Sequence, residues 1–160
     1  MRSEQEVNQA IELYADMIRR ICLLHLKNQT DTEDVLQEVF LKYILCSVVF
    51  ENGEHEKAWL IRVTINACKD FKKSLFRHRT VPLDVLSEEV ASVMPENLNI
   101  LEAVLSLPPK YKDIIYLHYY EGYTAREIGT MLHKKENTVY SLLSRGRNLL
   151  KQKLEGDDDA

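Results

Sequence analysis

The chain has 160 residues, 45% hydrophobic and 29% charged, with a formal net charge of −4. This length allows one domain or two small ones, and the apolar fraction is enough for packed cores. No stretch approaches the ~18 consecutive apolar residues of a membrane span, and MRSEQEVNQA has no apolar signal-peptide core, so the expected location is the cytoplasm with no membrane insertion.

Cys22, Cys46 and Cys68 are far apart and form no C-x-x-C pair, which predicts buried free thiols. His25, His55, His78, His118 and His133 are equally scattered, so neither a metal site nor a cofactor is expected. Gly and Pro are few and no run alternates with strand period. The chain therefore reads as all-α: two small helical domains joined by a flexible linker, the C-terminal one with a helix-turn-helix.

Taken in order, residues 6–27 place Val7, Ile11, Tyr14, Ile18 and Ile21 at the 4-3-4-3 spacing of a core-facing helix, ended by Asn28-Gln29-Thr30. Residues 31–45, DTEDVLQEVFLKYIL, open with acids that suit a helix N-terminus, and Asp31 or Thr32 can cap it. Leu36, Val39, Phe40 and Tyr43 make one apolar face. Asp34, Glu38, Leu41 and Leu45 line a second, which is either more core or a docking face of aliphatics ringed by charge.

A loop over 47–54, marked by Asn52-Gly53, precedes a helix from about residue 56 to 77. Leu60, Thr64, Ala67, Phe71 and Leu75 form its expected buried side. Arg62, Asn66, Lys69 and Lys73 recur at i, i+4, i+7, i+11 on another. Residues 57–79 hold seven Lys/Arg against one Asp, a net of +6, which favours phosphate contact over a merely solvated surface. Residues 80–96 then read as a linker with a short helix near 86–93. Residues 81–106 carry five acids and no Lys/Arg.

Helical pattern returns over 97–107, and Pro109 can start a helix running from Lys110 to Tyr120. Thr124 and Glu127 have capping-box spacing, with Tyr123 and Ile128 placed for a hydrophobic staple. Ala125, Ile128, Gly129 and Leu132 share a face. His133 to Glu136 break the pattern for about one turn. Val139, Leu142, Leu143, Gly146, Leu149, Leu150 and Leu154 then form a second stripe, opposite Thr138, Tyr140, Ser141, Ser144, Arg145, Asn148, Lys151 and Gln152. Residues 107–153 hold nine Lys/Arg against four Asp/Glu, a net of +5 inside an acidic chain. A basic helix-turn-helix of this kind has the electrostatic footprint of a nucleic-acid binder. Residues 155–160 form an acidic tail.

Three stretches together resemble the bacterial RNA polymerase sigma factors of the sigma-70 family, extracytoplasmic-function (ECF) group, over nearly the whole chain. DTEDVLQEVFLK resembles the domain 2 helix that grips the polymerase β′ clamp helices. AWLIRVTINACKDFKK resembles the helix that melts and reads the promoter −10 element. LPPKYKDIIYLHYYEGYTAREIGTML with TVYSLLSRGRNLLK resembles domain 4, whose recognition helix reads the −35 element.

The resemblance implies roles for matching positions. Asp34, Gln37, Glu38, Phe40 and Leu41 fall on the polymerase-binding helix. Trp59, Arg62, Asn66, Lys69, Asp70 and Lys73 fall on the −10 helix, and the loop near 49–54 would hold a flipped-out −10 base. Thr138, Tyr140, Ser141, Ser144, Arg145 and Arg147 face the −35 duplex or its phosphates. It also implies domain 2 over 1–79, a linker over 80–96 and domain 4 over 97–154. The implied partners are core RNA polymerase, through β′ clamp helices and β flap, and promoter DNA, with an anti-sigma factor as a further candidate. The chain departs from the family at His133, where Gly is frequent, at Lys134, where an apolar residue is frequent, and at Tyr140 and Leu142, where Arg or Lys is frequent. A helix-turn-helix regulator acting without polymerase would account for the C-terminal half but gives residues 31–79 no purpose. No paired carboxylates, phosphate-binding Gly loop or activated nucleophile suggests an enzyme.

Overall fold

The computed structural model describes residues 1–75 and 98–158; every described element is helical. The expected linker over 80–96, its short helix and the last two residues of the tail lie outside the described residues. The chain divides into two compact units, with the boundary between residues 94 and 95.

The first unit packs three helices against one another: α1 (Glu4–Leu26), α2 (Gln29–Leu45) and α3 (Gly53–Leu75). Ser3 caps α1, its side chain accepting from the Glu6 N–H. The buried set of α1 differs from the expected stripe. Ile18 and Ile21 are buried as the spacing predicts, but Val7 and Tyr14 are half-buried and Ile11 is 40% exposed. Burial instead concentrates in a run of six residues from Ile21 to Leu26. Such a run needs cover on every side of the helix, and α1 packs against both α2 and α3.

Lys27 ends α1 in the left-handed region at φ 62°, and α2 starts earlier than expected. Its cap is Asn28, not Asp31 or Thr32. The Asn28 Oδ1 accepts from the Asp31 N–H at 2.8 Å while its amide donates to the Asp31 carboxylate at 2.6 Å. Asp31 and Thr32 are thereby drawn inside the first turn and buried. At α3, the Asn52 side chain accepts from the His55 N–H at 2.9 Å, so the helix begins at the Asn-Gly turn itself. The buried face of α3 includes Leu60, Thr64 and Ala67 as expected, but also Ile61, Ile65 and Cys68, because two helices cover it. Phe71 is only half-buried. The Thr64 hydroxyl is satisfied by donating to the Leu60 carbonyl at 2.6 Å. Cys22 and Cys68 are buried free thiols, and Cys46 is half-buried.

The second unit contains α4 (Leu98–Leu105), α5 (Pro109–Ile115), α6 (Ala125–Leu132) and α7 (Glu136–Asp158). Pro109 occupies the first helical position of α5. Beyond Ile115 the expected α-helix widens into a π turn over Tyr116–Tyr120, with Tyr120 stacked on Tyr116 at 5.3 Å. Gly122, at φ 80°, ends this run.

The capping box of α6 is complete: the Thr124 hydroxyl accepts from the Glu127 N–H at 3.1 Å, and the Glu127 carboxylate accepts from the Thr124 N–H at 3.0 Å. These bonds hold the Glu127 carboxyl below its usual range, the backbone amide of Thr124 contributing most. Tyr123 and Ile128, on either side of the cap, are both buried. The turn into α7 is tight. His133 adopts the left-handed region at φ 57°, and the Lys134 N–H reaches back to the Gly129 carbonyl at 2.8 Å. His133 thus holds the conformation for which Gly is usual, at a cost of roughly 1–2 kcal/mol for a residue with a Cβ. A Cβ on Gly129 would lie 2.7 Å from the Lys134 carbonyl oxygen, so only glycine admits this turn. Gly146 plays a similar part between helices: a Cβ there would lie 3.1 Å from the Ile115 side chain, where α7 crosses α5.

The turn generates a ranking. Thr124→Ala removes half the capping box and should cost about 1 kcal/mol. Gly129→Ala drives a methyl group into backbone and should cost more, about 1–3 kcal/mol. Denaturant unfolding should give midpoints in the order wild type, Thr124→Ala, Gly129→Ala; equal midpoints for wild type and Gly129→Ala would refute the close approach.

Candidate nucleic-acid and protein interfaces

The face of α2 turned away from α1 and α3 carries Asp34, Gln37, Glu38, Leu41 and Leu45, all exposed. Leu41 is 56% and Leu45 65% exposed, which decides between the two readings of these leucines: they are not core. Glu38 pairs with Lys42 at 3.2 Å, an exposed i,i+4 contact worth a few tenths of a kcal/mol. Phe40 divides the two readings made of it: its spacing places it on the apolar face, the resemblance on the polymerase-binding helix. Only 7% exposed, with its ring edge-on to Tyr43 at 6.4 Å, it belongs to the buried face with Val35, Leu36, Val39 and Tyr43. One residue of helix rotates a side chain by about 100°, enough to separate Phe40 from Leu41.

Loop 46–52 and the start of α3 assemble an aromatic cluster. Phe50 lies parallel to Tyr43 at 6.2 Å, and Trp59 meets Phe50 at 5.6 Å and Tyr43 at 6.2 Å. His55 stands edge-on to Phe50 at 5.2 Å. The Tyr43 hydroxyl donates to the Glu56 carboxylate at 2.9 Å. Burial and then this bond push its pKa up to about 12, so the phenol stays neutral. Trp59 is named by the resemblance and Phe50 lies in the loop it sets aside for a base; the parts of Tyr43 and His55 in the cluster have no signal in spacing alone, although rings on each side of an Asn-Gly turn point to it.

Further along α3, Asn66, Lys69, Asp70 and Lys73 are exposed and Arg62 is half-buried, so the expected polar stripe exists. Lys72 lies off that stripe, its ammonium 2.6 Å from the His25 ring nitrogen of α1.

In α7, Val139, Leu142, Leu143 and Gly146 are buried, while Thr138, Tyr140, Ser141, Ser144, Arg145, Arg147, Asn148, Lys151 and Gln152 are exposed. Leu142 faces the core, so the departure from the family at that position removes nothing from the surface. Arg145 makes no hydrogen bond or ion pair among the described residues. The carboxylate of Glu121 accepts from the Tyr116 hydroxyl at 2.6 Å. Arg147 donates to the Tyr119 hydroxyl of the π turn at 3.1 Å. Lys151 lies 3.9 Å from Glu155, both side chains largely in solvent. Among the described residues no three His, Cys, Asp or Glu converge as metal ligands, and no helix is long and apolar enough to cross a membrane.

Two families match, described as Sigma-70 region 2 over residues 10–78 and Sigma-70 region 4 over residues 97–150. The ECF RNA polymerase sigma factor SigW of Bacillus subtilis is 29% identical over 90% of this chain and 86% of its own length. The ECF RNA polymerase sigma factor SigE of Mycolicibacterium smegmatis is 30% identical over 92% of this chain, which spans 61% of that relative. The fold is similar to that of the sigma factor RpoE from Bartonella quintana, solved with the anti-sigma factor NepR: TM-score 0.72, 19% identity, 94% of this chain and 98% of that one. It is also similar to CnrH, solved with the cytosolic domain of CnrY: TM-score 0.70, 20% identity, 97% and 91% of the two chains.

The split between neighbours on α2 is testable by stability. Phe40→Ala should cost about 3–5 kcal/mol, whereas Leu41→Ala should stay within about 0.5 kcal/mol of wild type. Similar losses for both in urea unfolding would place Leu41 in the core.

Proposed function

This chain belongs to the sigma-70 family of RNA polymerase sigma factors, in its ECF group, and from that premise we propose how its surfaces divide the work. Sigma factors bind core RNA polymerase and direct it to promoters for transcription initiation; they are not enzymes. Residues 1–79 act as domain 2, 80–96 as the linker and 97–154 as domain 4, working in the cytoplasm. The Leu41–Leu45 ridge, with Asp34, Gln37 and Glu38 beside it, docks on the β′ clamp helices. Exposed leucines bury apolar area on binding, while the flanking acids fix register and speed association. Phe40 supports this helix from beneath rather than touching polymerase.

Asn66, Lys69, Lys73 and Arg62 follow the −10 strand, and the aromatic cluster around Trp59 and Phe50 receives a base that has left the stack. Stacking on an aromatic ring supports such a base at about 1–3 kcal/mol. Thr138, Tyr140, Ser141, Ser144, Arg145 and Arg147 meet the −35 duplex, and the second unit also meets the β flap. RpoE and CnrH were each solved with a protein partner. An anti-sigma factor that covers the Leu41–Leu45 ridge would hold this chain inactive.

The observation that carries this reading is the sorting of α7: Val139, Leu142 and Leu143 turn inward, and Arg145, without a partner among the described residues, projects from the outer face. Arg145→Ala should lose roughly 1–3 kcal/mol of preference for the favoured −35 sequence over scrambled ones. Lys151→Ala should weaken all sequences alike and lower the salt dependence by about one counterion. Run-off transcription across a −35 library measures both; unchanged preference in both variants would remove α7 from the role of reader.

For the dock, Leu41→Arg should fold normally yet fail to co-elute with core polymerase. A stranded charge in an interface costs several kcal/mol. Undiminished co-elution would move the dock elsewhere.

A further inference from the structure

Arg2 precedes α1, between exposed neighbours, yet its side chain is only 12% exposed. Its guanidinium is engaged on every side. The Nε donates to the Tyr43 carbonyl at 3.0 Å. One terminal nitrogen donates to the Val48 carbonyl and to the Cys46 sulfur at 3.3 Å. The other lies 3.6 Å from the Glu6 carboxylate. The plane of the group rests 4.5 Å from the Tyr43 ring centre and 4.7 Å from that of Phe50. The Arg2 N–H donates to the Ile44 carbonyl at 3.3 Å. One residue thus joins the last turn of α2, the loop after it and two members of the aromatic cluster.

Phe50 is packed by the rings of Tyr43, Trp59 and His55, but the backbone before it has little to hold it. From Ser47 to Phe50, the bond to the Val48 carbonyl is the one hydrogen bond among the described residues. Val49, next to it, is 86% exposed. The chemistry calls for arginine: a rigid fork of donors reaches three acceptors while its face stacks on aromatic rings, and lysine offers neither the fork nor the face.

We propose that Arg2 is a positioning residue for −10 recognition, fixing loop 46–52 and Phe50 in the shape that receives one unstacked promoter base. This rests on the reading that the loop and its aromatic cluster hold a −10 base. Arg2 does not touch DNA; it sets the geometry of groups that do, where small displacements carry large costs.

The test uses the full chain assembled with core polymerase. A promoter library is varied one base at a time through the −10 element. Transcription from each member gives the base preference, and 2-aminopurine placed at each −10 position reports unstacking. Arg2→Ala, Arg2→Lys and Phe50→Ala are compared with wild type. Arg2→Ala and Arg2→Lys should each lose roughly tenfold of discrimination at one −10 position, with less 2-aminopurine fluorescence there. Their core binding and −35 preference should match wild type, and both should remain folded at the assay temperature. Loss in Arg2→Ala with full retention in Arg2→Lys would overturn the argument from the fork. Wild-type preference in both Arg2 variants, with loss in Phe50→Ala, would overturn the role of Arg2 and leave the loop reading intact. Wild-type preference in all three would defeat the loop reading itself. Loss of folding or core binding in the Arg2 variants would make Arg2 a residue of the fold, contrary to the proposal.

Discussion

Everything on the first unit follows from how α2 divides its circumference. A helix can bury a stripe between two neighbours but not its whole surface. Val35, Leu36, Val39, Phe40 and Tyr43 fill the space against α1 and α3, and geometry then forces Leu41 and Leu45 outward. Two leucines more than half exposed forgo burial worth about 1.5–3 kcal/mol each. These two leucines, beside Asp34 and Glu38, are the surface proposed above as the dock. Tyr43 links the two roles of the unit: its ring closes the core while its stacking on Phe50 begins the aromatic cluster.

The second unit applies the same constraint with a sharper turn. Gly129 lets the chain fold back directly after α6, and Gly146 lets α7 lie close on α5. Both approaches fix which side of α7 is spent on the core. Its outer face is then free for hydroxyl groups, an amide and cations. The π turn at 116–120 adds a support from behind, since Tyr119 holds the guanidinium of Arg147.

Much of this was legible in the sequence because helical period, caps and charge act locally. The α6 capping box, the polar stripe of α3 and the inward stripe of α7 as far as Gly146 stand where the spacing puts them; Leu149, Leu150 and Leu154 beyond it are only half-buried. What escaped depends on neighbours distant in sequence. Ile11 has the right period but no helix over it, whereas Leu23 and Leu24 are buried because two helices converge there. Phe40, by contrast, is buried on the apolar face that its spacing predicts, although the resemblance also sets it on the polymerase-binding helix. Asn28 took the cap from Asp31 because its amide could bond the Asp31 carboxylate as well as its N–H. Arg2 could not be found by period: apart from Glu6, its partners are 41 to 48 residues away.

The central claim is that one chain supplies both the polymerase dock and the promoter readers. Run-off transcription of fragmented bacterial DNA by core polymerase, with and without this protein, tests it most directly when the start sites are mapped. Discrete starts that depend on the protein, and that share a −10 and a −35 sequence at fixed spacing, are the predicted result. Starts identical to those of core polymerase alone, with the protein bound to DNA on its own, would contradict it.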